Sequence, residues 1–168
     1  MNKIKTKEEI KELVEELRNK SKTIVTINGS FDMMHVGHIK LLQEAKQQGD
    51  VLIVGVNSDE SVRAWKKHMD YKDWALRPLI QQQYRAEMLA ALECVDYVTI
   101  YGEPDCLKFI EDIKPNIHVN GEDYGHDCIE ARTVKKYGGK VYIVKKVEGF
   151  STTKLIKKIT DIYNKNTK

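Results

Sequence analysis

Paired cysteines, long apolar runs and a marked charge excess are all missing from this sequence. The three cysteines, Cys94, Cys106 and Cys128, are odd in number and show no C-x-x-C spacing. That excludes a disulfide framework, argues against a zinc site and fits reduced thiols in a cytoplasmic protein. No apolar run is long enough to span a membrane. Residues 1–20 are charged throughout and lack an apolar h-region, so no signal peptide is read there. The 28 basic and 25 acidic residues leave a formal net charge of +3. That excess is too small to point to nucleic acid. No internal repeat or domain boundary is visible. The glycines fit neither the dinucleotide pattern G-x-G-x-x-G nor the Walker A pattern G-x-x-x-x-G-K-[ST].

What is present suits one soluble domain with one core. Hydrophobic residues make up 41% and charged residues 32% of the 168. A single domain over residues 1–168 is expected, with an N-terminal helix within 1–20 and a frayed tail at 162–168. Ile10, Leu13, Val14 and Leu17 recur at helical spacing after a start at Thr6. "KTIVTING" and "DVLIVGVNSD" are continuous apolar strands of the kind a helix-covered parallel sheet buries. "DYVTIY", "NIHVNG" and "KVYIVKKV" complete five strands. Helices are expected at residues 35–49, from "SVRAWKK", over 79–95, in "PDCLKFIEDIKP", in "CIEARTVKKYGG" and from Ser151 onward. "HMDYKDWALRP" reads as irregular. Strands alternating with helices imply an α/β fold: a Rossmann-like, doubly wound domain with a mostly parallel five-stranded sheet.

The stretch "NGSFDMMHVGHIKLL", residues 28–42, stands where the first strand gives way to a helix. Ligands of open α/β sheets bind at the carboxyl ends of the strands. Helix starts offer free N–H groups and a positive dipole end to anions. Gly29 lets the backbone approach a ligand, and Gly37 removes bulk between His35 and His38. Two imidazoles at such a start can donate hydrogen bonds to phosphate and meet charge developing on a phosphoryl group. The competing readings are structural hydrogen bonding and metal ligation, though His-x-x-His lacks a clear third ligand here.

"GSFDMMHVGH" resembles the Gly-x-Phe-Asp-x-x-His-x-Gly-His signature of the cytidylyltransferase-like nucleotidyltransferases. "STTKLIKKI", over a hundred residues later, resembles their second signature. The resemblance covers residues 20–160. It implies transfer of a nucleotidyl group from an NTP to a phosphate monoester, with Mg²⁺ held mainly by the phosphates and no protein metal site. It implies catalytic roles for His35, His38 and Lys46, the lysine of the family's helix. Gly29, Ser30, Phe31, Asp32 and Gly37, then Asn120, Gly121 and Asp123, then Ser151, Thr152 and Thr153, become candidate nucleotide and phosphate contacts. Asp32 is expected to hold either the loop or the metal-bound phosphates.

"LIVGVNSDESVR", "RPLIQQQYRAEMLAALECVDYV" and "IHVNGEDY" look most like the heptose-phosphate nucleotidyltransferases that make ADP-heptose. That resemblance implies AMP transfer from ATP to a sugar 1-phosphate, D-glycero-D-manno-heptose 1-phosphate, with release of pyrophosphate. Lys40, Asp59, Arg77, Arg85 and Tyr124 are the candidate acceptor contacts. The arginines read alternatively as a cap or an ion pair, and Asp59 as an N-cap. Asn120 stands where the heptose group usually has lysine, which removes one cation. "KVEGFSTT", with Lys146 in place of an arginine, also resembles glycerol-3-phosphate cytidylyltransferases, so CTP with a polyol phosphate is the alternative. A non-catalytic nucleotide-binding module on the same fold is the third reading, and the intact motifs argue against it. The insert "AWKKHMDYKDWALRP", with Trp65, His68, Tyr71 and Trp74, is either an acceptor lid or a packed surface loop. Small-molecule partners and a homodimer, joined through the first helix and the 79–95 helix, are expected; nucleic acid and membrane are not.

Overall fold

The computed structural model describes residues 2–125, 127–145, 149 and 151–165. Five strands form one sheet: β1 (Ile24–Gly29), β2 (Val51–Asn57), β3 (Tyr97–Tyr101), β4 (Ile117–Gly121) and β5 (Lys140–Val144). Their order is β3-β2-β1-β4-β5, and all four pairings are parallel. The chain winds outward from β1 to β3, then returns to the other side of β1. The direction of winding therefore reverses between β1 and β4, and a crevice opens there at the carboxyl ends.

The helices are α1 (Lys7–Asn19), α2 (Val36–Lys46), α3 (Asp59–His68), α4 (Gln82–Ala90), α5 (Leu107–Ile113), α6 (Ala131–Lys136) and α7 (Thr152–Lys165), with a 3-10 turn at Trp74–Leu76. Successive strand residues point to opposite faces. Val25, Ile27, Leu52 and Val54 face Leu42 and Leu89 of α2 and α4. Ile24 and Ile53 face Ile10, Val14, Phe109, Ile110 and Ile113 of α1 and α5. The continuous apolar runs of β1 and β2 thus serve two half-cores, one per face.

Three element boundaries differ from expectation. The helix expected over 79–95 is α4 alone, because Leu79 and Ile80 are held in a loop by side-chain bonds described below. α3 runs on to His68, into the stretch read as irregular. Residues 162–165, read as the start of a frayed tail, continue α7. α1 opens on a reciprocal cap: Thr6 Oγ1 accepts from Glu9 N, and Glu9 Oε2 accepts from Thr6 N. Its apolar positions Ile10, Val14 and Leu17 are all buried in the chain's own core. That removes α1 as the expected dimer surface.

Candidate active site

β1 ends at Gly29, and the backbone turns sharply into α2. Phe31 and Met33 take the left-handed region, at φ 49° and φ 51°. That conformation costs about 1–2 kcal/mol per non-glycine residue. Burial of the Phe31 ring, which is 4% exposed, offsets it at Phe31 by about 1.5–3 kcal/mol. The ring lies so close to Gly29 that a Cβ there would meet it at 3.3 Å. Glycine at this position is therefore set by Phe31 packing as well as by any ligand.

His35 is the N-cap of α2, a position usually taken by Ser, Thr, Asp or Asn. Its Nδ1 accepts from Gly37 N at 3.1 Å, and His38 Nδ1 accepts from His35 N at 3.3 Å. The two rings lie 4.0 Å apart between centroids. A neutral imidazole whose Nδ1 accepts carries its proton on Nε2. The reciprocal cap thus fixes both tautomers as Nε2–H donors. Burial lowers the pKa of both rings, and His38 falls to about 4 through burial and the neighbouring His35. Both are neutral at pH 7. They can donate to an anion without the repulsion of two adjacent imidazolium charges.

A cavity of about 270 Å³ receives them. Its lining includes Gly29, Ser30, Phe31, Gly37, Asn120, Gly121, Asp123 and Tyr124. Ser151 and Thr152 line the opposite side, at the start of α7. Ser151 Oγ accepts from Lys154 N at 3.2 Å, a cap like that of α1. Two helix starts therefore meet one cleft, which is an arrangement suited to a polyphosphate. Thr153 is not in the lining and is exposed. Lys146 lies outside the described residues.

Six expected site residues are placed elsewhere. The Lys46 ammonium bonds Asp96 Oδ2 at 2.6 Å and the Asp50 carbonyl. Those partners precede β3 and β2, so Lys46 sits at the amino edge of the sheet, opposite the cleft. Asp32 is 5% exposed and accepts from Leu79 N and Ile80 N at 3.0 Å each. Arg77 lies 3.6 Å from it. Asp32 therefore holds the 77–80 loop, and its carboxylate is spent there rather than on phosphates. Arg77 also donates to Asp73 at 2.7 Å. Arg85 is fully buried and donates to the carbonyls of Ile80, Ser30 and Asn57 and to Asp59 Oδ1 at 2.7 Å. Asp59 opens α3 behind its N-cap, Ser58. The Asp32, Asp59, Arg77 and Arg85 set is a brace that ties the β1 and β2 ends to the loop before α4. Lys40 is exposed on α2 and lines neither cavity.

A second cavity, of about 540 Å³, adjoins the first across Asn28, Gly29 and Ser30. Trp65, Lys66, Met69 and Tyr71 wall it, so part of the insert does cover a cleft. Lys66 Nζ stands 4.3 Å over the Tyr71 ring. Burial first, and the nearby Arg77 second, lower its pKa. Asn28, Tyr101, Asn120 and Glu130 supply polar groups to the same cavity. Glu130 is 5% exposed. Burial raises its pKa, but bonds from Cys106 and its own backbone, with His118 and Cys128 nearby, outweigh that and leave it lowered. Asn28, Lys66, Tyr101 and Glu130 were not singled out from the sequence. Only the Lys66–Lys67 doublet inside an aromatic-rich insert offered a signal.

Comparisons with known proteins agree with this geometry. The model of the family described as cytidylyltransferase-like matches residues 26–165. The chain is 42% identical over 163 residues to the Bifunctional protein HldE of Syntrophotalea carbinolica, covering 96% of this chain and 32% of that protein. It is 46% identical over 143 residues to HldE of Geobacter sulfurreducens, covering 84% and 28% respectively. The chain thus spans about a third of the length of the curated relatives it matches. A lipopolysaccharide core biosynthesis protein from Thermoplasma volcanium superposes with a TM-score of 0.58 at 29% identity, over 75% of this chain and 97% of that one. Pantoate-beta-alanine ligase from Francisella tularensis shares the fold, with a TM-score of 0.63 at 22% identity over 84% and 66% of the two chains. With both signatures at helix starts on one cleft, and a family match over most of its length, the chain belongs to the cytidylyltransferase-like family.

Proposed function

We propose that this chain transfers AMP from ATP to a sugar 1-phosphate, D-glycero-D-manno-heptose 1-phosphate, giving ADP-heptose and pyrophosphate. The observation that carries the reading is the pair of neutral Nε2–H imidazoles facing the Ser151–Thr152 helix start across one cavity. The triphosphate would lie between the two helix starts. His35 and His38 would donate to the α-phosphate region as charge builds in flight, and Ser151 and Thr152 to the outer phosphates. Thr153, Asn120, Gly121 and Asp123 remain proposed contacts at the rim. The adjoining cavity would take the acceptor, with Lys66 drawing its phosphate toward the reacting centre and Tyr124 on the wall the two cavities share. No covalent intermediate is required. Positioning two anions in line and balancing their charge supplies the rate.

Among the described residues, no group of three His, Cys, Asp or Glu side chains is placed to hold a metal. Mg²⁺ would be carried by the phosphates, whose charge it would reduce.

The heptose-like stretches and the similarity to HldE proteins favour ATP and a heptose phosphate over the cytidylyl alternative. The solved relative from lipopolysaccharide core biosynthesis fits a sugar substrate. No helix among the described residues is long and apolar enough to cross a membrane. Free thiols and soluble substrates fit a cytoplasmic reaction. Two copies would pair through Leu76, Leu79 and Tyr84, which are 76%, 55% and 57% exposed beside α4. The test of the reaction is a matrix of ATP, CTP, GTP and UTP against sugar 1-phosphates and glycerol 3-phosphate, read by pyrophosphate release. Release with ATP and the heptose phosphate is expected. Release with CTP and glycerol 3-phosphate alone would reject the reading.

A further inference from the structure

The second cavity has a floor that asks for hydroxyl donors. Glu130 closes one end of it, buried and with no Lys, Arg or His in ion-pair contact among the described residues. Its Oε1 accepts from the Cys106 thiol at 2.9 Å and its Oε2 from the Asn120 amide at 3.3 Å. The Cys128 thiol and Glu130's own backbone bond it as well, and all of these donors are neutral. Each carboxylate oxygen can accept a further hydrogen bond. Those bonds hold the carboxylate in its charged form, and its place in the cavity lining offers that charge to a ligand's donors. Asn28, at the end of β1, repeats the pattern. Its amide points to the Tyr101 hydroxyl at 3.4 Å, while its Oδ1 is buried and unpartnered. Two strong acceptors therefore wait in a cavity whose volume, about 540 Å³, suits a small molecule. A cation, Lys66, stands on the wall.

We propose that Glu130, with Asn28, reads the hydroxyl groups of the acceptor and restricts the enzyme to polyhydroxylated phosphates. This rests on the nucleotidyltransferase reading for the identity of the ligand, but not for the existence of the site. An acceptor with adjacent hydroxyls donates to the free lone pairs of Glu130 and to Asn28 Oδ1, while its phosphate meets Lys66. An acceptor missing those hydroxyls leaves both buried acceptors unfilled, and sites of this kind discriminate strongly against the deficient ligand. Asn120 has a role here as well. Where a lysine would neutralise Glu130 from within, the amide leaves the carboxylate for the ligand.

The experiment compares wild type with Glu130→Gln, which keeps the shape and removes the charge. Acceptor binding without nucleotide is measured by calorimetry, and turnover by pyrophosphate release. The ligands are heptose 1-phosphate, its mono-deoxy analogues and ethanolamine phosphate. Wild type is expected to prefer the full polyol to a deoxy analogue by roughly 10-fold or more, the worth of a hydrogen bond to a charged group. Glu130→Gln is expected to weaken binding and raise acceptor KM by roughly 10- to 100-fold. Its KM for ATP and its Tm are expected to be unchanged, and its preference over the deoxy analogue lost. A purely packing role for Glu130 would lower Tm and leave that preference intact, which overturns the proposal. So would wild type binding every analogue alike, a result that stands even if the variant does not fold. Tighter binding of ethanolamine phosphate than of the polyol would assign Glu130 to an ammonium and also overturn it. Sugar phosphate bound through Glu130 with no pyrophosphate released from any NTP would reject the transfer reaction and leave this site standing.

Discussion

Arg85 has no exposed surface, and its guanidinium serves four acceptors from three parts of the chain. Read in sequence, such an arginine is as good an anion ligand as any. In the fold it is a brace, because four of its five N–H groups bond the chain and it lines neither cavity. Arg85→Ala would strand Asp59 and three carbonyls, a loss of about 3–5 kcal/mol when one partner of a buried pair is removed. Thermal unfolding should show Tm falling by many degrees, with ATP and acceptor KM unchanged in whatever remains folded at low temperature. A normal Tm with a raised acceptor KM would return Arg85 to the site. The contrast with His35 and His38 is instructive. Their placement at the start of α2 was readable because spacing and a helix start act locally, within a few residues. Beyond local bonds to Asp50 and Ile80, the destinations of Lys46, Asp32 and Arg85 depend on partners 26 to 55 residues away. No local pattern encodes those.

At the scale of elements, the sequence carried nearly all of the fold. β1 and β2 are apolar runs rich in β-branched residues, and the alternation of strands with helices dictates a parallel sheet. What it missed were ends. Leu79 and Ile80 have a helix-compatible sequence, yet their N–H groups are taken by Asp32 from the β1–α2 turn. Glu130, just before α6, was invisible for a related reason. Nothing in "CIEARTV" says that its first turn closes against Cys106 and Asn120. The face beside α4 tests the proposed dimer. Leu79→Asp with Tyr84→Asp should shift the sedimentation mass from two chains to one, while circular dichroism stays the same. A wild-type protein that sediments as one chain at micromolar concentration would remove that face from any assembly.

For the whole molecule, the clearest global signature is acid sensitivity. His38 and the fully buried His118 both have pKa values lowered to about 4 by burial. His118 accepts or donates through Nδ1 to Thr26 Oγ1 at 2.9 Å across the β1–β4 pair, and its Nε2 is buried without a partner. The unfolded chain takes up these protons near pH 6.5, while the folded chain holds out to about 4. Between those values the unfolded state binds more protons, so stability falls as pH drops through that window and is level above it. Tm should hold from pH 8 to 7 and decline from about 6.5 toward 4. His118→Gln should flatten part of that decline, and an unchanged slope would remove His118 from the effect. The central claim, adenylyl transfer at two helix starts, is tested most directly by one assay. The initial rate of pyrophosphate release from ATP and heptose 1-phosphate is compared between wild type and His38→Ala, with Tm recorded for both. The account predicts ADP-heptose from wild type, a rate at least ~100-fold lower in the variant, and a Tm lowered only by the lost cap bond, about 0.5–2 kcal/mol, with the variant still folded at the assay temperature. A variant turning over at the wild-type rate would contradict it.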